Sequence, residues 1–245
     1  MTDLHCHALC SVDDGARDIE EMKKMLDIAY EDGIKKICFT PHFKAHHFKN
    51  DAQISSYNEK IKESFGIASD YAREKYSDMD LYLGNEVMHH HDIFESLSSG
   101  KCSFIAGSSY ALVELLPNAP FFEIQGSLSG LLRKGITPIL AHAERYASLV
   151  SDISKVDELK EMGALIQVNA SSITKMRLGK CAKFIKTLFK KSLVDIIATD
   201  AHDTLSFAPI MSRAYNLISK KYGEGVARRT CELVPNLILE NKKIH

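Results

Sequence analysis

Asp3-Leu4-His5-Cys6-His7 opens the chain as a short extended run in which two histidines stand two residues apart. Residues so spaced project from one side of a strand, while Leu4 and Cys6 face the other way. Two neighbouring imidazoles can hold one metal ion. By itself the pair is weak evidence, and two ordinary histidines, exposed or singly hydrogen-bonded, are the simpler reading. Whether later strands deliver matching ligands separates the two readings, and the same question decides the fold.

The chain has 245 residues, a length that suits one α/β domain spanning 1–245. With 45% hydrophobic and 26% charged residues it can build a real core. A formal net charge of −1 lacks the basic excess expected of a nucleic-acid binder. No apolar run approaches the roughly 18 residues of a membrane span. Nor does a basic segment followed by an apolar one mark a secretory leader, so the expected compartment is the cytoplasm. The six cysteines (6, 10, 38, 102, 181 and 231) form no Cys-x-x-Cys pair and read as free thiols. Cys6 lies between two candidate ligands, but strand alternation turns it to the opposite face.

Beyond the first strand the pattern is strand then helix, about seven times over. Strands are expected near 34–40, 81–87, 110–116, 136–141, 164–169 and 194–199. Helices are expected near 18–32, 53–76, 124–134, 153–162 and 180–191, with one or two more over 208–222 and 225–241. Gly33, Gly135 and Gly163 stand where helices should stop. Such alternation implies right-handed crossovers and a parallel sheet. Periodicity alone does not separate a closed barrel from an open, doubly wound sheet.

The polar residues bear on that choice. His5 and His7 come from the first strand, Asp14 from the loop after it and His42 from the end of the second. Glu86 follows the third strand, Glu114 the fourth, His142 the fifth, and Asp200 with His202 the last. Parallel barrels build their sites on this rim from several strand ends, whereas open sheets gather ligands near one switch point. Ligand candidates from residue 5 to residue 202 favour a closed α/β barrel.

Glu114 sits in an apolar run, where a carboxylate is costly without a cation. Asp200 and His202 repeat the two-residue spacing of the opening pair. Asp14 is as readily a turn or cap residue, as is Asp13. His46, His47 and His89-His90-His91 lie past the strand ends and read as surface. The nine candidates are five histidines and four carboxylates, all N and O donors. They suit Mn²⁺, Fe or Zn²⁺. The set is too large for one ion and implies two or three. Three divalent cations would leave a surplus of positive charge over four carboxylates, which matches a phosphate dianion.

These segments, in this order, resemble the polymerase-and-histidinol-phosphatase (PHP) superfamily. Within it they resemble the bacterial tyrosine phosphatases of capsule and exopolysaccharide operons. The resemblance rests on Asp3–His7, Val12-Asp13-Asp14-Gly15, Thr40-Pro41-His42, Gly84-Asn85-Glu86, Ile139–Tyr146, Gln167–Ser172 and Ala198–His202. It spans about residues 3–209. It implies a distorted (β/α)7 TIM-like barrel with three metals. One ion would take His5, His7, Glu86 and Asp200, and the second Glu86 as a bridge with Glu114 and His142. Asp14, His42 and His202 would hold the third. It further implies hydrolysis of phosphotyrosine by a metal-bridging hydroxide on a protein partner, a tyrosine autokinase of polysaccharide assembly. Arg145 would stabilise the phosphoryl charge, and a group near Asp14 could protonate the leaving oxygen. A small-molecule phosphomonoesterase of the histidinol-phosphatase kind is the alternative. A homo-oligomer is possible.

One departure stands out. These phosphatases are expected to carry an Arg-Pro-Pro-like segment shortly after Asp-x-His, and here Phe207 stands where that Arg would lie. Its loss could weaken phosphate binding or mark a shifted substrate, and the ring could stack on a phenyl ester.

Overall fold

The computed structural model describes residues 1–175 and 179–244. Among the described residues there are nine short strands: β1 (Thr2–Cys6), β2 (Lys36–Phe39), β3 (His42–Phe43), β4 (Asp80–Leu83), β5 (Glu86–Met88), β6 (Tyr110–Glu114), β7 (Thr137–Leu140), β8 (Leu165–Asn169) and β9 (Ile196–Ala198). They form two parallel sheets, ordered β1-β2-β4 and β3-β5-β6-β7-β8-β9. The result is an α/β fold with a curled parallel sheet. Cys6 and Ala201 form a parallel bridge between the first strand and the segment after the last. Around it the Asp200 N–H donates to His5 O and the His7 N–H to Ala201 O, each at 2.8 Å.

The helices are α1 (Ile19–Glu31), α2 (Asp51–Lys75), α3 (Ile93–Ser98), α4 (Phe121–Leu132), α5 (Ala147–Ser151), α6 (Ser154–Glu161), α7 (Ala170–Thr174), α8 (Lys180–Lys190), α9 (Ser212–Tyr222), α10 (Glu224–Arg228) and α11 (Val234–Leu239). α1 shows why the sequence folds as it does. The Asp18 carboxylate caps it by accepting from the Glu21 N–H. Met22, Met25, Leu26 and Ala29 make its buried stripe. No helix among the described residues is long and apolar enough to cross a membrane.

Three expectations are refined. The third expected strand is broken in two at Gly84-Asn85, and the second, which ends at Phe39, is followed across Thr40-Pro41 by a short strand, β3, beyond its expected end. Pro41 has no N–H to continue a ladder. The Asn85 amide closes both gaps, donating to Pro41 O and accepting from the Ser103 N–H, each at 2.8 Å. Second, the helix expected from 208 begins only at Ser212. Its start is fixed by Asp32 of the α1 terminus, whose Oδ2 accepts from Met211 and Ser212 N–H at 2.6 and 2.7 Å. Third, the last helix is interrupted between α10 and α11 by a π-helical turn at Arg229–Leu233. Pro235 lies just beyond and cannot donate to that turn, which a local change of pitch accommodates.

Candidate metal centre

All nine candidate ligands meet on one side of the sheets, at or beneath a cleft of about 660 Å³. His5 belongs to β1 and Glu114 ends β6. His42 and Glu86 begin β3 and β5, just past the two strand breaks. His142 and Asp200 both follow strands in left-handed backbone, with φ of 35° and 53°. Non-glycine residues pay about 1–3 kcal/mol for such conformations, which persist where the surroundings dictate them and cluster at working sites.

Glu86 is the hub, almost fully buried. Its Oε2 lies 3.2 Å from His5 Nε2, 3.4 Å from His7 Nε2 and 2.9 Å from His42 Nδ1. Its Oε1 lies 2.9 Å from His142 Nε2, which is also 3.6 Å from Glu114 Oε1. Asp200 Oδ1 is 3.2 Å from His5 Nε2 and 3.7 Å from His7 Nε2. On the outer side Asp14 Oδ1 stands 3.4 Å from His42 Nε2 and 3.7 Å from His202 Nε2.

Donor atoms within 4.8 Å of one another define three groups that could each hold a cation: His5, His7 and Asp200; His42, Glu86 and Glu114; and His7, Asp14, His42 and His202. The grouping departs from the division implied by resemblance: His7 and His42 each enter two groups, Glu86 enters only one, and His142 enters none, although its Nε2 lies 2.9 Å from Glu86 Oε1. The residues fit a metal. His42 Nδ1 and Glu86 Oε2, 2.9 Å apart, approach without hydrogen-bond geometry, and buried Glu114 Oε2 and His142 Nδ1 also have no hydrogen-bond partner among the described residues. His5 Nε2 and His7 Nε2 face each other at 3.1 Å, an approach of two ring nitrogens that a shared cation resolves.

The backs of the rings are tied down. Nδ1 of His7 meets Asp13 Oδ2 at 2.8 Å, Nδ1 of His5 meets Gln167 Oε1 at 3.2 Å, and Nδ1 of His202 meets Asp200 O at 2.9 Å. Each oxygen is placed to accept an Nδ1–H and so turns Nε2 inward, the orientation that metal-binding histidines adopt once Nε2 has lost its proton. Asp200 is treated likewise. Its Oδ2 accepts from Asn169 Nδ2 at 2.8 Å and Arg145 Nη2 at 2.7 Å, so Oδ1 is left for the cluster.

The charges are strongly coupled. Burial alone would lower the His5 imidazole, but the Glu86 and Asp200 carboxylates carry it up to about 9. His7 is also raised, against burial, by Asp13. Asp13 in turn is held down near 2, against burial, by His7. Glu86 is held well below the usual carboxylate range because His5 and its other ring neighbours outweigh burial. Burial and the nearby Glu86 charge push Glu114 up. In the chain alone, imidazole protons supply the positive charge that the carboxylates demand. A divalent cation would take over that role and release the protons.

The sequence left several contributors without a role. Asp13, which stood beside Asp14 as an equal turn candidate, holds the His7 ring and accepts from the His42 N–H at 3.0 Å. Gln167 and Asn169 form a chain from His5 and the His142 backbone to Asp200. Their own spacing of two within an apolar strand was the available signal. Gly15 explains the Asp-Asp-Gly run, since a Cβ there would lie 1.7 Å from His7 O. Arg145, expected at the phosphoryl oxygens, lines the cleft and is bonded to Asp200. His89 and His90 are engaged elsewhere, with Ser127 and Ser96. Burial pushes the Cys6 thiol up, consistent with its place in the core.

Known proteins supply an independent comparison. A family model described as "Capsular polysaccharide synthesis, CpsB/CapC" matches residues 1–240. The chain is 32% identical over 249 aligned positions to the tyrosine-protein phosphatase CpsB of Streptococcus pneumoniae, covering all of both chains. It is 26% identical to the tyrosine-protein phosphatase YwqE of Bacillus subtilis (strain 168), covering all of this chain and 93% of that one. Among solved structures, one from a study of YwqE and CpsB, described as unique metal-dependent tyrosine phosphatases, superposes with a TM-score of 0.86. It is 24% identical, covering 100% of this chain and 96% of that one. A putative histidinol phosphatase from Listeria monocytogenes shares the fold more distantly, with a TM-score of 0.50 and 12% identity, covering 82% and 95% of the two chains. By sequence and by fold, the chain belongs to the CpsB/CapC family.

Proposed function

We propose that this protein is a metal-dependent protein-tyrosine phosphatase. The observation that carries the reading is the gathering of nine N- and O-donor residues, Glu86 at their centre, with buried donor atoms that lack hydrogen-bond partners, in a chain of the CpsB/CapC family. His5, His7, Glu86 and Asp200 would hold one ion, Glu86 with Glu114 and His142 a second, and Asp14, His42 and His202 a third. Two or three divalent ions fit this donor set, with Mn²⁺ foremost and Fe or Zn²⁺ as alternatives. Such ions supply positive charge to the phosphoryl oxygens and a competent nucleophile near neutral pH.

The remaining work falls to the chain. Arg145 gives one N–H to Asp200 and keeps others for a phosphoryl group in the cleft, where they would offset its growing charge. Asp14 stands mostly exposed at the mouth, where a water held beside its carboxylate would be placed to pass a proton to the departing oxygen. A phenolate leaving group, with a conjugate pKa near about 10, asks less of that proton than an alkoxide does. The substrate would be a phosphotyrosine-bearing protein, and within capsule or exopolysaccharide synthesis a tyrosine autokinase in the cytoplasm. We read β2 with β3 and β4 with β5 as two interrupted strands. That leaves seven in a single domain over 1–245, a distorted (β/α)7 barrel of the PHP type supported by the bonds joining β1 to the end of β9.

The test is hydrolysis of a phosphotyrosyl peptide, phosphoserine and histidinol phosphate by the Mn²⁺-loaded protein. Phosphotyrosine should be preferred. A catalytic efficiency about tenfold higher on histidinol phosphate would instead assign a small-molecule enzyme, and no turnover at full metal content would reject the phosphatase reading.

A further inference from the structure

The loop after His202 carries two apolar side chains into the cleft that holds the candidate ligands. Leu205 is 88% exposed and Phe207 is 44% exposed, and both line the cleft together with Arg145, Asp200 and His202. Large apolar groups left in water beside such a polar cluster call for an explanation. The loop is firmly held. The Asp203 carboxylate accepts from the Leu205 N–H at 2.6 Å and the Phe207 N–H at 3.0 Å, and the His202 N–H donates to Phe207 O at 2.9 Å.

The half-exposed Phe207 ring has two neighbours. It meets the His202 imidazole at 70° with centroids 6.3 Å apart, and the Lys175 ammonium lies 5.2 Å from its centroid. The ring therefore borders the metal cluster through His202, at the distance of an aromatic contact. Lys175 orients it and donates to Ser206 O at 3.3 Å. A ligand whose phosphoryl group reached the cluster would set the group attached to its ester oxygen against this lip. A flat aromatic ring gains both apolar contact and ring–ring geometry there, and an alkyl chain gains only part of it.

We propose that Phe207, with Leu205 beside it, forms an apolar subsite that takes the aryl ring of the substrate and selects aryl over alkyl phosphomonoesters. The subsite rests on the phosphatase reading above and adds a residue that sets its specificity. It accounts for Phe207 at this position by substrate selection, with phosphate binding left to Arg145 and the cluster.

Phenylphosphonate and methylphosphonate test the subsite without turnover, because they bring the same kind of anion with and without a ring. Their dissociation constants are measured by calorimetry on the Mn²⁺-loaded wild type and on Phe207→Ala and Phe207→Tyr, whose metal contents are checked. The wild type should bind the phenyl compound more tightly. Phe207→Ala should weaken phenylphosphonate about tenfold and methylphosphonate less than about twofold, and Phe207→Tyr should restore the preference. Equal losses for both ligands, or an unchanged preference in Phe207→Ala, would overturn the subsite. The phosphatase reading fails separately, if the loaded wild type binds these anions yet hydrolyses no phosphotyrosyl peptide.

Discussion

Arg145 Nη2 donates to Asp200 Oδ2 at 2.7 Å, joining the turn after β7 to the turn after β9. A cationic side chain lining the cleft is thus also the clamp that aims a candidate ligand carboxylate. The two duties separate by experiment. Arg145→Ala should lower kcat about 10²-fold, the scale of removing one donor to developing charge, while metal content measured by mass spectrometry stays at the wild-type value. If metal content falls in step with rate, Arg145 acts through Asp200 alone. An unchanged rate would remove it from the chemistry altogether.

Asp13 holds the His7 ring from behind and is largely shielded from solvent. Asp13→Asn keeps the shape but lets the amide nitrogen face His7 Nδ1, which favours the wrong tautomer. Mn²⁺ affinity should fall about 10–100-fold, the usual cost of losing the oxygen behind a metal-binding histidine. Titration of the metal-free protein by calorimetry measures it. Wild-type affinity would show that His7 needs no such support.

Glu114 carries a buried oxygen without a partner, and burial and Glu86 both oppose its charge. Glu114→Ala should abolish turnover and reduce bound metal, with far-UV circular dichroism unchanged. The metal-free variant should also melt no lower than metal-free wild type, because an uncompensated carboxylate has been removed. Added Mn²⁺ should raise the Tm of wild type more than that of the variant. Full metal content in the variant would exclude Glu114 from the site.

Asp3 is buried, and its carboxylate accepts from the His5 N–H at 3.3 Å, the Thr199 N–H at 3.0 Å and the Thr199 hydroxyl. Asp3→Ala strands those donors in the core. It should cost about 2–4 kcal/mol, on the scale of one to three unmet buried hydrogen bonds. Urea denaturation of the metal-free protein reads this directly. A loss below about 0.5 kcal/mol, within the range of surface changes, would mean that other groups or water satisfy the donors.

The parts of the molecule legible in the sequence are those in which residue type and local period agree. His5 and His7 declare themselves through their spacing of two, and Glu114 through its apolar neighbours. The α1 stripe of Met22, Met25, Leu26 and Ala29 announces a helix that Gly33 ends. What stayed hidden depends on distant partners. No local signal links Asp32 to the start of α9, and none gives Asn85 the task of joining Pro41 to Ser103. Arg145 was readable as a cleft cation from its place after His142, but its bond to Asp200 depends on how two strand ends sit in space. The strand breaks at Pro41 and at Gly84 were equally local in cause. The side-chain hydrogen bonds that tolerate them were not.

The bonds between β1 and the end of β9 also govern when the site can exist. Asp3 and Thr199 are 196 positions apart in sequence, so a chain emerging from the ribosome holds His5 and His7 long before Asp200 and His202. Contacts of such separation are expensive to close and come late in folding. Until they form, the first two histidines have no acidic partner from the far end and only a partial grip on a cation. Cation binding by His5, His7 and Asp200 would therefore await the ninth strand, whereas His42, Glu86 and Glu114 are all in hand once the sixth is made.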